Sequence, residues 1–244
     1  MTSKLTVATL ALTLSTVCTS DAFAQMQWTN QGFVNVTLGV QAPSHELSTQ
    51  SVFSLYGDDA ILATTQDVGG GFFFDISAGY KVWRNLAVGI GFSHVGSEAD
   101  LVIDASIPDP DFFDNPRLVT TTASGAKHSQ PALNFTGTWM MPVTDKVDVG
   151  FQFGPSVFFV SQDLPTSVTV TEPGPTLSDL QVTSVDKTTI GIHFGVDVTY
   201  LVTPRIGAGV LARYSWGSAE LEGTTDDSLT VGGLQLGGGV RIRF

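Results

Sequence analysis

Apolar residues recur at every second position along most of this chain. The stretch Leu234 to Phe244 shows it most plainly. Leu234, Leu236, Gly238, Val240, Ile242 and Phe244 share one parity, and Gln235, Gly237, Gly239, Arg241 and Arg243 the other. Successive side chains of a strand point to opposite faces, so this is a strand with one apolar face and one face of glycine and charge. The same alternation predicts strands over about Asn30–Val40, Phe72–Val82, Leu86–Ser93, Gln130–Met141, Val147–Phe159, Thr189–Tyr200 and Ile206–Trp216. In the strand around Ile190, for instance, Ile190, Ile192, Phe194, Val196, Val198 and Tyr200 face one way, and Thr189, Gly191, His193, Gly195, Asp197 and Thr199 the other.

The connections alternate too. Trp83-Arg84-Asn85, Pro142 to Lys146 and Thr203-Pro204-Arg205 are tight turns, whereas about 41–68, 96–127, 161–187 and 220–227 are long and polar. Tyr80, Trp139 and Tyr200, about 60 residues apart, each end a strand before a tight turn, so the unit is a repeated hairpin with one tight and one open end. Within 41–68, Ser51–Tyr56 and Ala60–Thr65 flank Gly57-Asp58, which is turn chemistry and predicts a local hairpin. Whether 51–65 adds two strands to the wall stays open. Eight amphipathic strands with this spacing predict an all-β fold: an eight-stranded antiparallel up-and-down transmembrane β-barrel with short periplasmic turns and long extracellular loops.

Which face is inside decides between a soluble and a membrane barrel. The large residues outnumber what an eight-stranded interior holds, and the other face is mostly Gly, Ala, Ser, Thr and charge. The apolar face is therefore expected outward, toward lipid, around a side-chain-filled polar lumen with no open pore. The inward exceptions Phe33, Phe73, Phe158 and Leu211 would fill space there.

Composition narrows the reading. Charged residues are 14% and the net charge is −12, with no basic patch to track nucleic-acid phosphates. Lys4, the apolar run Leu5–Val17 and Ala22-Phe23-Ala24 predict a signal peptide over 1–24, cleaved during Sec export, and a barrel domain over 25–244. The single cysteine, Cys18, lies in that leader, so the mature chain is expected to have no disulfide and no lipid anchor. Acids gather in the long connections. Lys81, Arg84, Lys146, Arg205, Arg241 and Arg243 gather at the tight-turn end.

Three groups carry candidate chemistry. The lumen face collects Asp75, Lys81, Asp148, His193, Asp197, Arg213, Arg241 and Arg243, which burial would force into pairs. They form either an internal salt-bridge plug or a gated polar path. Asp104, Asp109, Asp111 and Asp114 cluster beside Phe112 and Phe113, as a solvated acidic loop or a weak divalent-cation site. Ser93-His94 and His128-Ser129 pair nucleophile and base by residue type. Neighbours on a strand face opposite ways, so only a cross-strand contact at the outer rim would make them an active site.

The signal peptide, the eight strands and the ending Gly238-Gly239-Val240-Arg241-Ile242-Arg243-Phe244 resemble the small outer-membrane β-barrel proteins, the OmpA/OmpX/OmpW-like group. The resemblance is architectural and covers nearly all of the mature chain. It implies outer-membrane localisation in a Gram-negative-type envelope. It makes Val240, Ile242 and Phe244 a terminal signal read by the barrel-assembly machinery. Tyr80, Trp83, Trp139, Tyr200, Tyr214 and Trp216 become membrane-girdle aromatics. The partners expected are outer-membrane lipid, lipopolysaccharide and divalent cations at the acidic loops, with a monomeric barrel, no nucleic acid and no cofactor. With Phe244 last, no cell-wall-binding domain is expected. The function expected is structural or surface-interacting and non-enzymatic. The alternatives are an OmpW-like conduit for small hydrophobic molecules and, behind it, a lipid-modifying enzyme.

Overall fold

The computed structural model describes residues 27–42, 45–68, 70–112, 115–219 and 229–244. The expected signal peptide, Phe113, Asp114 and the acidic stretch 220–228 lie outside them. Ten antiparallel strands follow: β1 (Gly32–Gln41), β2 (His45–Leu55), β3 (Asp58–Val68), β4 (Gly71–Trp83), β5 (Leu86–Ile107), β6 (Arg117–Thr144), β7 (Val147–Thr171), β8 (Thr176–Leu201), β9 (Ile206–Ala219) and β10 (Leu229–Arg243). Hydrogen-bonded neighbours run β1-β4-β5-β6-β7-β8-β9-β10, and β10 returns to β1, pairing Phe33 with Arg243 through Gln41 with Gln235. Eight strands thus close an up-and-down barrel with no edge.

The hairpin β2–β3 is not part of that closed ring. β3 pairs with β5 only over Ile61–Thr65, opposite Val102–Ser106, above the point where β4 ends. Residues 51–65 therefore extend one side of the wall upward.

The long loops expected over 96–127 and 161–187 are strand instead. β5, β6, β7 and β8 run for 22, 28, 25 and 26 residues, against 9–11 for a typical membrane-spanning strand. At about 3.3 Å per residue, β6 is roughly 90 Å long. One side of the barrel is tall and the other, formed by β4, β1, β10 and β9, is low.

Polarity inverts along the tall strands. Low on β5, Val88, Ile90 and Phe92 face out and Ala87, Gly91 and Ser93 are buried; high on β5, Glu98, Asp100 and Asp104 face out and Leu101, Ile103, Ala105 and Ile107 are buried. On β6 the inversion coincides with a bulge. Ala99 pairs with Ala126 but Asp100 pairs with Ser124, so Gly125 is an extra residue. Below it the even positions Ala126, His128, Gln130, Ala132 and Asn134 are inside; above it the odd positions Val119 and Ala123 turn in. A bulge shifts side-chain parity by one, which is how β6 keeps its apolar residues on the correct face of each zone. The upper part has its own apolar core, built on Leu62, Leu101, Ile103, Ile107 and Val168.

Candidate functional site in the barrel lumen

Seven of the eight ionisable residues expected inside are buried to within a few per cent: Asp75, Asp148, His193, Asp197, Arg213, Arg241 and Arg243. Their strands bring them together in pairs. Arg213 of β9 donates from Nη1 to Asp75 Oδ2 of β4 at 2.8 Å and from Nε to Gln235 at 2.7 Å. Gln235 passes the chain on to Gln41, which donates to the Gly232 carbonyl. Arg241 of β10 grips Asp197 of β8 with two nitrogens, Nη2 at 2.6 Å and Nε at 2.9 Å from Oδ2. Arg243 donates to Asn35 and Thr199, and its Nε stands 3.9 Å from Asp148. A buried charge without a partner costs several kcal/mol. Three arginines against three aspartates leave this part of the lumen electrically balanced.

Lys81 departs from the expectation. It is only half-buried, and its Nζ donates to the backbone carbonyls of Trp28 and Thr29 at 3.0 and 3.4 Å, not to a carboxylate. The cause is a feature the alternation did not reveal. Residues ahead of β1 fold into the tight-turn mouth, where Trp28 is 1% exposed among Phe33, Ala87 and Met140. Its backbone N–H donates to Asn85 Oδ1, and Lys81 lies 5.8 Å from its ring centre. A lone tryptophan before a strand carries no periodicity signal.

The inward aromatics are buried as well, and glycines make their room. A Cβ on Gly79 would strike the Phe33 ring, one on Gly39 or Gly237 the Phe73 ring, and one on Gly191 the Phe158 ring, while one on Gly217 would press on Val231 and Phe158. Phe73 packs with Val95 and Leu211; Phe158 packs with Ala132, Val160, Leu164 and Val231. A small cavity of about 10 Å³, lined by Asn134, Thr136, Thr138, Gln152 and Arg213 among others, has room for about one water.

Serine and histidine do meet, but not at the outer rim. His94 points outward, while Ser93 is buried and accepts from Asn134. His128 bonds Gln162 through Nδ1. The Ser–His contact lies in the lumen, between Ser156 Oγ and His193 Nδ1 at 2.8 Å. Ser156 donates its hydroxyl to Asn134 Oδ1 at 2.7 Å. His193 Nδ1 is therefore the donor to Ser156, and Nε2 accepts from Thr136 at 3.1 Å. In that tautomer His193 takes no proton from Ser156, so the pair is a hydrogen-bond chain and not an activated nucleophile.

Outside, Tyr80, Trp83, Tyr200, Tyr214, Trp216 and the terminal Phe244 are exposed, and Trp139 is half-buried. Val240 and Ile242 face out beside Phe244, whose ring covers Gly32. In the acidic loop, Asp109 accepts from the backbone N–H groups of Asp111 and Phe112 and sits 3.6 Å from Arg117. Among the described residues no three His, Cys, Asp or Glu side chains are grouped to hold a metal.

No family profile and no curated protein matches the chain. Solved structures similar to it include Neisserial surface protein A, 15% identical, spanning 87% of this chain and 97% of that one, with a TM-score of 0.45. OprG, an outer membrane protein from Pseudomonas aeruginosa, is 10% identical over 90% and 98%, with a TM-score of 0.47. The outer membrane protease OmpT from Escherichia coli is 10% identical over 90% and 98%, with a TM-score of 0.40. The architecture is assigned from the strand order of this chain itself, which makes it an all-β, eight-stranded, antiparallel up-and-down barrel.

Proposed function

We propose that the chain is an outer-membrane barrel with a plugged lumen, exported and inserted tight-turn end inward, whose work is done by the tall side standing outside the membrane. The observation that carries this is the inversion of polarity. Below the outward Glu98–Lys127 pair the wall is apolar outside and mostly polar inside, which suits lipid around a filled lumen. Above it the wall is polar outside and apolar inside, which suits water. The girdle aromatics mark the lipid boundary, and Val240, Ile242 and Phe244 serve as the assembly signal. The role is structural or surface-interacting, and the Ser156–His193 geometry supports a non-enzymatic reading. The test is planar-bilayer conductance of the refolded barrel. The expected result is no stable conductance; a steady conductance would overturn the plug and make Asp75, Asp197, Arg213 and Arg241 the path-lining groups.

One observation favours a second reading, passage of small hydrophobic molecules. Pro131 of β6 and Pro155 of β7 both lie along the β6–β7 seam, and proline gives no donor to a ladder. The seam pairs Ser129 with Ser161 and then resumes at Ala132 with Phe158. A hollow of about 250 Å³ opens there, lined by Pro131, Phe159, Val160 and Lys187 among others. Behind it lies the apolar upper lumen around Phe158. Uptake of a fluorescent fatty acid or aromatic into barrel-containing vesicles, abolished by Pro131→Val, would establish it. Equal uptake by both would leave the plugged barrel alone.

A further inference from the structure

Above the lipid band the outward face of the tall side is mostly Thr, Ser, Asp and Glu. Val102 and Val182 are scattered exceptions, and one row brings several apolar residues together. Val52 of β2 pairs with Ile61 of β3, Ile61 with Ser106 of β5, and Ser106 with Leu118 of β6. The four lie on one line across four strands, so the row is about 15 Å long. Val52 is 59% exposed and Leu118 84%. Phe112, in the loop joining β5 to β6, stands 70% exposed. The interior of this sheet is filled by the Leu62–Leu101–Ile103–Ile107 core, so the row is not a spillover of core packing. Three exposed aliphatic side chains on one line, interrupted at Ser106, on a sheet face otherwise built for water mark an interaction surface.

The surroundings say what fits it. Asp59 lies two residues from Ile61 on β3, and Asp104 two residues from Ser106 on β5, both on the same face. Asp109 and Asp111 precede Phe112. The cations nearby are already engaged or distant: Arg117 is held by Glu172 and Asp109, and Lys127 sits opposite Glu98, lower on the wall. We infer that this row is a docking strip for a cationic amphipathic polypeptide. Its apolar residues seat on Val52, Ile61, Leu118 and Phe112, and its lysines or arginines meet Asp59, Asp104 and Asp111. The same carboxylates repel lipopolysaccharide phosphates and sulfated glycans, which removes those as occupants. The inference rests on the reading that the tall side stands outside the membrane.

The experiment uses the full barrel refolded into nanodiscs of zwitterionic phosphatidylcholine. The probes are two fluorescein-labelled peptides, one alternating leucine with lysine and one alternating leucine with glutamate. Polarisation at physiological salt reads binding against empty discs. The lysine peptide is expected to bind barrel discs at least roughly tenfold more tightly than empty ones, and the glutamate peptide not at all. The double variant Ile61→Thr/Leu118→Thr, whose changes lie on the exposed face, is expected to lose about tenfold in affinity. Asp59→Asn/Asp104→Asn is expected to lose severalfold and to flatten the salt dependence. Unchanged binding by the Thr variant overturns the strip, whatever the Asn variant does, because bulk acidity then explains the binding. Binding of the glutamate peptide overturns it too. A separate arm labels Thr122→Cys, also on the outward face, with a membrane-impermeant maleimide on intact cells. Absence of labelling sinks the surface reading itself, whereas labelling with failed peptide binding sinks only the strip.

Discussion

Arg241 and Asp197 clasp each other across two strands of the barrel, β10 and β8, through three hydrogen bonds between guanidinium and carboxylate. Neither is more than a few per cent exposed. Removing one partner strands the other charge, at a cost of about 3–5 kcal/mol. Arg241→Met is therefore expected to lower the urea midpoint of the refolded barrel sharply. Arg241→Met/Asp197→Leu is expected to recover much of the loss. Equal midpoints for the single and double variants would show that the carboxylate is not what suffers.

Gly209 sits where that arginine passes. A Cβ there would stand 2.7 Å from Arg241 Nε and 2.9 Å from its Cγ. Gly209→Ala is expected to displace the guanidinium and cost about 1–3 kcal/mol, read by the same denaturation. In an Arg241→Met background the flexible thioether gives way, and the penalty is expected to shrink.

Trp28 tests the stopper at the tight-turn mouth. Its ring is buried but its indole N–H has no hydrogen-bond partner among the described residues. Trp28→Ala is expected to cost about 3 kcal/mol through the cavity it leaves. Trp28→Phe is expected to cost far less, because the donor it deletes bonds nothing among the described residues. A large loss for both would mean the N–H is satisfied after all.

Three tips of the tall side are tied by one carboxylate. Glu172 accepts from Arg117 at 2.6 Å and from Tyr56 at 3.2 Å. The Arg117 hydrogen bond holds the Glu172 carboxyl below its usual pKa, and burial, with Glu172 beside it, pushes the Tyr56 phenol above its own. A depressed acid contributes stability above its ordinary pKa and loses it as the pH falls through the lowered value. A raised phenol contributes below its ordinary pKa and loses it as the pH climbs through the raised value. The tie is therefore expected to hold across neutral pH, loosening only below about pH 4 and above about pH 10. Protease cleavage of the tips, followed against pH, is expected to rise at both extremes. In Glu172→Gln the acid limb is expected to vanish.

The lower barrel was legible because each wall strand there carries one sense of alternation, apolar on the outward face. Ile190 to Tyr200 needs no further information. The upper strands lack the lower strands' pattern for a physical reason. Leu101, Ile103, Ala105 and Ile107 alternate with the opposite sense, apolar inward, so Asp100 and Asp104 stand where the lower wall has apolar residues. On β6 the extra Gly125 shifts the parity as well. The lumen charges could be named, since parity alone turns Asp75 and Arg241 inward. Their pairing depended on strand tilt and stagger, which leave no trace in the spacing. Lys81 went astray because its partner is the backbone of Trp28 and Thr29, outside any strand.

The ring closes through β1 and β10, the first and last of the described strands. In chain order the lumen acids come early, at 75, 148 and 197, and the guanidinium groups late, at 213, 241 and 243. A sheet that lacks β9 and β10 therefore has three carboxylates on its concave side and none of their guanidinium partners. Closing the circle and balancing the charge of the lumen are thus one and the same event, because the strands that shut the barrel are the ones that carry its guanidinium groups.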